Sequence, residues 1–141
     1  MTRVDFYLLN GADDGGKHLA ACKLIHKVFR LGHRVYLLTE TADEAGALDQ
    51  LLWTFAAGSF IPHQRLAAAI DPRIPVVIGN DAPPEAFNDV MVSLAHDVPP
   101  YYDRFQRVAE IVGGDDTEKQ RARERFRFYR ERGCPLETHT L

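Results

Sequence analysis

Short apolar runs alternate with amphipathic segments along the first half of the chain. The run Val4 to Asn10 precedes a segment, 16–31, in which apolar residues recur three or four positions apart. The run His33 to Leu38 precedes a similar segment at 42–54. A strand-length apolar run followed by an amphipathic helix, twice in succession, is typical of parallel β-α-β connections. The pattern therefore predicts an α/β sheet.

Three more apolar runs, at 76–78, 89–94 and 107–112, extend the predicted sheet. A strongly charged helix is predicted at 117–132, because the Gly133 and Pro135 that follow are residues that end helices. The predicted fold class is a single-domain, Rossmann-like α/β fold. It has an open, mostly parallel sheet flanked by helices, and it ends in a basic C-terminal helix.

Composition limits the class of protein. The chain has 141 residues, of which 45% are hydrophobic and 26% charged, so it can form a core and fits one domain over 1–141. Its apolar runs are far shorter than the roughly 20 residues that cross a bilayer, and we expect neither a signal peptide nor membrane contact. Cys22 and Cys134 belong to no paired motif, which favours a reducing compartment. We expect a cytoplasmic protein.

Positive charge is concentrated near the end of the chain. Residues 1–116 hold 10 Lys and Arg against 16 Asp and Glu, a net charge of −6. Residues 117–133 hold 7 against 3, a net charge of +4. An acidic body with one basic helix indicates a local docking site for an acidic partner and weak direct binding of nucleic acid.

A glycine-rich segment, Gly11 to His18, has the spacing of a phosphate-binding loop and lies between a predicted strand and helix. It supports the alternative function, a nucleotide-binding Rossmann-like enzyme. His18 replaces the Ser or Thr that would bind magnesium, and Asp13 and Asp14 would oppose polyphosphate. The loop is degenerate, and we favour a simple glycine-rich turn.

Two other patterns are candidates for a metal site and for a catalytic site. His18, Cys22 and His26 repeat every four residues, but three consecutive turns of one helix form a poor metal cage. His96-Asp97 could orient an imidazole for base catalysis, but no Ser or Cys nucleophile accompanies the pair. We therefore expect no catalytic residue, no metal and no cofactor.

The last predicted helix combines a narrow apolar stripe with a row of cations. Ala122, Phe126 and Tyr129 supply the stripe. A second row, at positions i, i+4 and i+8, could bind successive carboxylates or phosphates; it consists of Lys119, Arg123 and Arg127. A solvated surface helix is the alternative interpretation of this composition.

Aromatic residues crowd the segment Leu48 to His63, where a predicted helix passes into a loop. A small domain cannot easily bury all of Trp53, Phe55 and Phe60 at such a position. One or two of them are therefore candidates for an exposed apolar anchor that contacts a partner protein.

Motifs along nearly the whole chain resemble those of one family. They are Phe6-Tyr7-Leu8-Leu9, Gly32-His33-Arg34-Val35, Leu48-Asp49 to Leu52-Trp53, Ser59-Phe60-Ile61-Pro62-His63 and Ala122-Arg123-Glu124-Arg125-Phe126 to Tyr129-Arg130. Together they resemble the chi subunit of bacterial DNA polymerase III holoenzyme, a clamp-loader accessory subunit. The resemblance implies a noncatalytic adaptor with a Rossmann-like fold. Such an adaptor links the clamp loader, through the psi subunit, to single-stranded-DNA-binding protein, and it holds that protein's acidic C-terminal tail, Asp-Asp-Asp-Ile-Pro-Phe.

The resemblance also implies two sets of site residues. For the acidic tail, Lys119 and Arg123 match the family's basic residues, while Val112 and Phe126 match the apolar wall of its pocket. Phe126 stands where other members have Tyr, so a hydroxyl contact is lost. The second set faces psi or, on the same surface, a repair helicase; it consists of Trp53, Phe60, Ile61 and Pro62.

Overall fold

The structure, a computed structural model, describes residues 1–10, 14–58 and 60–141. It contains a single sheet whose strands are β1 (Arg3–Leu8), β2 (Val35–Leu38), β3 (His63–Arg65), β4 (Val76–Gly79), β5 (Val90–Ser93), β6 (Arg107–Val112) and β7 (Leu136–Thr140). The helices are α1 (Asp14–Arg30), α2 (Ala42–Thr54) and α3 (Asp116–Glu131), with a single 3-10 turn at Tyr102–Arg104.

The predicted fold class is confirmed. All strand pairs are parallel, and the strand order across the sheet is β3-β4-β2-β5-β6-β1-β7. The predicted helices and five predicted strands agree with the structure to within a few residues. None of the described helices has the length and apolar character needed to span a membrane.

One part of the prediction was wrong: α3 is not the final element. Gly133 adopts a positive φ of 78°, which ends the helix, and the chain then enters β7 along the edge of β1. The sequence of β7, Leu-Glu-Thr-His-Thr, is mostly polar because an edge strand is largely exposed, so it lacks the apolar run that marks the inner strands. The three-residue strand β3 was also missed, for the same reason.

The sheet separates two apolar clusters. On one face α1 and α2 pack over residues such as Val35, Ile78 and Ile111. On the other face α3 and several loops pack over Phe6 and Val112. Successive residues of a strand point to opposite faces, so β1 and β6 contribute to both clusters.

Candidate functional site

A pocket of about 430 Å³ lies between α3 and the β1–β7 edge of the sheet. Its floor and walls are apolar, and they come from the carboxyl ends of two strands and from the buried stripe of α3. These residues are Phe6, Leu8, Leu9, Val112, Gly113, Ala122 and Phe126, and Thr138 of β7 closes the edge. Val112 and Phe126, predicted from the resemblance, therefore line one pocket.

Four cations surround this pocket, and no Asp or Glu side chain lines it. They occupy positions i, i+4, i+8 and i+11 of α3: Lys119, Arg123, Arg127 and Arg130. Among the described residues, none of the four forms an ion pair, and Arg123 contacts only the amide oxygen of Gln120, at 3.2 Å. The positive charge at this pocket is therefore available to an anionic ligand.

Some other arginines of the chain do have acidic partners, although most of the described Lys and Arg side chains, like the four at the pocket, form no ion pair. Arg3 and Arg107 both bind the carboxylate of Asp5, and Arg73 binds Asp71.

Buried polar contacts hold α3 in the position that forms the pocket. The Arg125 guanidinium lies 3.1 Å from one carboxylate oxygen of Glu110 on β6, and the Tyr129 hydroxyl donates to the other at 2.8 Å. Arg125 also donates to the backbone oxygen of His96, at 2.7 Å. Burial raises the pKa of the Glu110 carboxyl, and Arg125 offsets part of that shift. Sequence reasoning identified Tyr129 as core but missed Arg125 and Glu110.

The first turn of α3 is fixed in a similar way. Asp115 caps the helix by accepting from the backbone N–H of Glu118, at 2.8 Å. The Glu118 carboxylate binds Lys17 of α1 at 2.8 Å and lies against Gly113, where a Cβ atom would come within 2.0 Å of it. A larger residue at position 113 would therefore have to displace the Glu118 carboxylate.

Aromatic residues at the opposite edge of the sheet form a second exposed surface. Trp53, at the end of α2, is 46% exposed and Phe60 is 66% exposed, and their ring centroids lie 5.5 Å apart. The Trp53 ring also packs on His63, at 4.1 Å. Pro62 is half-buried beside them. We call Trp53 and Phe60 the aromatic pair.

Ile61 does not belong to this surface, although it was predicted there. The residue is 0% exposed and packs in the core cluster beneath α1 and α2. Phe60, its neighbour in the sequence, is instead exposed. Ile61 is therefore a core residue and cannot contact a partner directly.

In the described part of the glycine-rich motif, Lys17 and His18 each have an acidic partner. Lys17 is 5% exposed and bound to Glu118, while His18 binds Glu44 at 2.9 Å. Residues 11–13 of the glycine-rich motif lie outside the described residues. The Lys17 ammonium is therefore already neutralised by a carboxylate, which disfavours phosphate binding.

The three residues of α1 that were considered as metal ligands, His18, Cys22 and His26, have different surroundings. Cys22 is fully buried in the core, and burial raises the pKa of its thiol to about 12. His26 packs edge-on against Phe55 at 6.0 Å. His96 lies in a loop, 3.7 Å from Glu40, and does not act as a pair with Asp97.

One further polar cluster could not be predicted, because two of its three residues lie on β7, which was not predicted. Asp5, Glu137 and His139 are the one described group of potential metal ligands whose donor atoms lie together. Burial alone would raise the pKa of Asp5, but hydrogen bonds from His139, Arg107 and Arg3 outweigh it and lower the pKa below 3.8. Arg3 and Arg107 already bind the Asp5 carboxylate, so we interpret the cluster as a set of contacts that holds β1 and β7 together. We call it the clamp.

The fold and the site together define a small α/β protein with an all-parallel sheet and a basic, apolar-floored pocket at one edge. The chain belongs to the DNA polymerase III chi subunit family, because the family model described as "DNA polymerase III chi subunit, HolC" matches residues 1–137. It is an accessory subunit of a DNA replication complex.

Individual relatives agree with this assignment. DNA polymerase III subunit chi of Pseudomonas aeruginosa is 43% identical over 143 aligned residues, which cover 100% of this chain and 98% of the relative. The subunit chi of Escherichia coli is 32% identical over 146 aligned residues, covering 99% of each chain. That of Haemophilus influenzae is 27% identical over 122 residues, covering 86% of this chain and 85% of the relative. The resemblance inferred from the motifs is thus confirmed.

Proposed function

We propose that the chain is a noncatalytic replication adaptor that holds the acidic C-terminal tail of single-stranded-DNA-binding protein in the pocket beside α3. The observation that carries this proposal is the set of four cations without acidic partners around an apolar floor. A peptide with several carboxylates and a terminal Phe needs cations next to a hydrophobic pocket, and this pocket offers both.

The length of the cationic row also suits a short extended peptide. Lys119 and Arg130 are eleven residues apart, which corresponds to roughly 16 Å along a helix. An extended peptide covers about 3.3 Å per residue, so the row matches about five residues. The tail's three Asp side chains and its terminal carboxylate would supply about as many negative charges as the row has cations. We assign the terminal carboxylate to Lys119 and Arg123, and the terminal Phe ring to the space beside Val112 and Phe126.

We further propose that the aromatic pair docks a second partner, the psi subunit or a repair helicase. Two large rings in contact and about half exposed form an apolar patch of the kind that carries binding energy at interfaces. The pair lies at the β3 edge of the sheet, whereas the pocket lies at the β7 edge, so both partners fit at once.

Direct nucleic-acid binding by α3 is the competing function, since the helix is basic. The body of the chain is acidic, and it would repel a phosphate backbone that extends beyond the helix. We expect the tail peptide to bind more tightly than a single-stranded oligonucleotide of the same charge at equal salt.

The test of the adaptor function is binding of the fluorescently labelled hexapeptide, measured by anisotropy. Arg123→Ala should weaken binding about thirtyfold, equivalent to about 2 kcal/mol, because a charge-assisted hydrogen bond is lost. Arg121→Ala is the matched control: the residue lies on the same helix but outside the pocket, and its affinity should stay within twofold of the wild type. Equal losses in both variants, or none in either, would exclude the pocket as the tail site.

The second surface has its own test in a pull-down with purified psi or helicase. Phe60→Ala should reduce capture while leaving the hexapeptide's affinity unchanged, since the two surfaces lie at opposite edges. Leu31→Ala is a control, because Leu31 is 66% exposed, like Phe60, but lies outside the aromatic pair. Unchanged capture by folded Phe60→Ala would remove the aromatic pair from the interface.

A further inference from the structure

A second groove lies at the same β1–β7 edge, on the opposite face of the sheet from the pocket beside α3. Its volume is about 400 Å³. Tyr7 and Ile111 form its floor, and they are the sequence neighbours of Phe6 and Val112, which form the floor of the first pocket. Because side chains alternate between the faces of a strand, β1 and β6 supply both floors.

The groove exists because helices do not cover this face completely. Seven strands at about 4.8 Å spacing give a sheet roughly 29 Å wide between its outer strands. Two helices, α1 and α2, pack on this face, and each is about 10 Å across, so roughly 9 Å remains at the β7 edge. Parallel sheets usually have both faces covered, which makes this opening unusual.

Charge distinguishes the groove from an ordinary gap in packing. Lys23 and Lys27 lie one turn apart on α1 and are exposed at its wall. Among the described residues neither lysine side chain forms an ion pair or hydrogen bond, and no Asp or Glu side chain lines the groove. By contrast, a third cavity, near Lys17, is lined by acids as well as cations.

The groove and the pocket beside α3, both at the β7 edge, therefore have a similar arrangement of apolar and charged residues. Each has an apolar floor from β1 and β6, and each has a helix that presents cations at positions i and i+4. Leu19 and Leu24 widen the apolar wall of the second groove. Lysines offer single charges rather than the paired donors of arginine, so the second site should bind the same chemistry more weakly.

We propose that the groove between α1 and the β1–β7 edge is a second, weaker binding site for an acidic peptide that carries large apolar side chains. The choice of ligand rests on the function proposed for the first pocket. Two sites on opposite faces of one edge would let the chain hold two tails at once, and a partner with several tails would then bind through both.

The test is an NMR titration of the full-length, isotope-labelled chain with the synthetic hexapeptide Asp-Asp-Asp-Ile-Pro-Phe. We expect signals of Val112 and Phe126 to shift first, and methyl signals of Leu19 and Leu24 to shift and saturate at higher peptide concentration. The Lys23→Glu/Lys27→Glu double variant should weaken only the second process, by about tenfold or more, because it replaces attraction with repulsion. Arg30→Glu, at the exposed end of α1 and outside the groove, is the control for charge reversal on this helix, and it matches each single variant, Lys23→Glu or Lys27→Glu, in its change of charge.

The outcomes separate this inference from the adaptor function. Saturable shifts at α1 that the double variant abolishes, with the first process intact, support a second site. Shifts confined to α3 and β7, or shifts at α1 that Arg30→Glu reduces equally, would overturn it and leave the adaptor function standing. Shifts at α1 alone would instead overturn the first pocket and keep the groove.

Discussion

The two edges of the sheet carry surfaces of opposite kinds. At the β7 edge, charge dominates: four cations surround a pocket whose helix is held in place by the Glu110–Arg125 pair. At the β3 edge the exposed feature is the apolar aromatic pair, whose Trp53 ring packs on His63. Because the two surfaces differ in this way, we expect binding at the first to depend strongly on salt and binding at the second to depend on it little.

The largest effect should come from removing the buried charge beneath α3. Glu110→Ala leaves the Arg125 guanidinium, whose side chain is only 6% exposed, without its carboxylate. Loss of one partner of a buried pair typically costs about 3–5 kcal/mol, so we expect the free energy of unfolding in urea to fall by about that amount. Tyr129→Phe should cost only about 1 kcal/mol, since it removes one hydrogen bond. Similar small losses in both variants would show that the pair does not hold α3.

Two adjacent residues at the β3 edge, Phe60 and Ile61, should differ strongly in their contribution to the free energy of unfolding. Ile61→Ala should lower the free energy of unfolding by about 2–5 kcal/mol, because it opens a cavity in the core. Phe60→Ala should change it by less than about 0.5 kcal/mol, because that ring is 66% exposed. Chemical denaturation of both variants measures this directly. If Phe60→Ala were strongly destabilised, the Phe60 ring would contribute to the core, and the contrast between the exposed aromatic pair and the buried Ile61 would be wrong.

The clamp between β1 and β7 predicts a pH-dependent effect at the basic edge. The pKa of Asp5 is lowered in the folded protein, so its contribution to stability is present above about pH 3.8 and is lost as the pH falls through the lowered value. At pH 7, Asp5→Asn should cost about 2 kcal/mol, in line with hydrogen bonds to charged groups. The difference between the two proteins should shrink in acid. A difference independent of pH would contradict the clamp.

The smallest effect is expected for the α1 thiol. Cys22 is fully buried and burial raises its pKa to about 12, so little thiolate forms at pH 8. A thiol reagent should label the denatured protein at both cysteines but leave Cys22 unlabelled in the native protein, as peptide mass spectrometry would show. Addition of Zn²⁺ should leave the thermal midpoint unchanged. Rapid native labelling of Cys22 would mean that α1 opens away from the sheet.

Elements with strong apolar patterns could be predicted from the sequence, and those made by exposed strands could not. The run Arg107–Val112 indicated β6 correctly because its side chains are largely buried. The polar strand β7 was missed. For that reason neither the position of Thr138 in the pocket nor the contacts between Asp5 and β7 could be predicted. The burial of Ile61 next to the exposed Phe60 was missed as well, because two adjacent apolar residues in a loop give no sequence signal for which side chain points inward.

The candidate pocket shows the same division. Lys119, Arg123 and Arg127 could be found from helical spacing, and Arg130 continues that row one turn later. The glycine at position 113 gave no signal in the sequence, because its role depends on the carboxylate of Glu118 lying against it. The Glu110–Arg125 pair joins residues that only the packed fold brings together.

The most direct test of the central claim is the salt dependence of hexapeptide binding to the wild-type chain and to Arg123→Ala. If the cations around the pocket bind the tail's carboxylates, the dissociation constant of the wild type should rise steeply between 50 and 300 mM NaCl, concentrations at which the screening length falls from about 14 to about 6 Å. The variant should show a distinctly shallower slope, because one ionic contact is gone. Equal slopes for the two proteins would contradict the claim that this pocket holds the acidic tail.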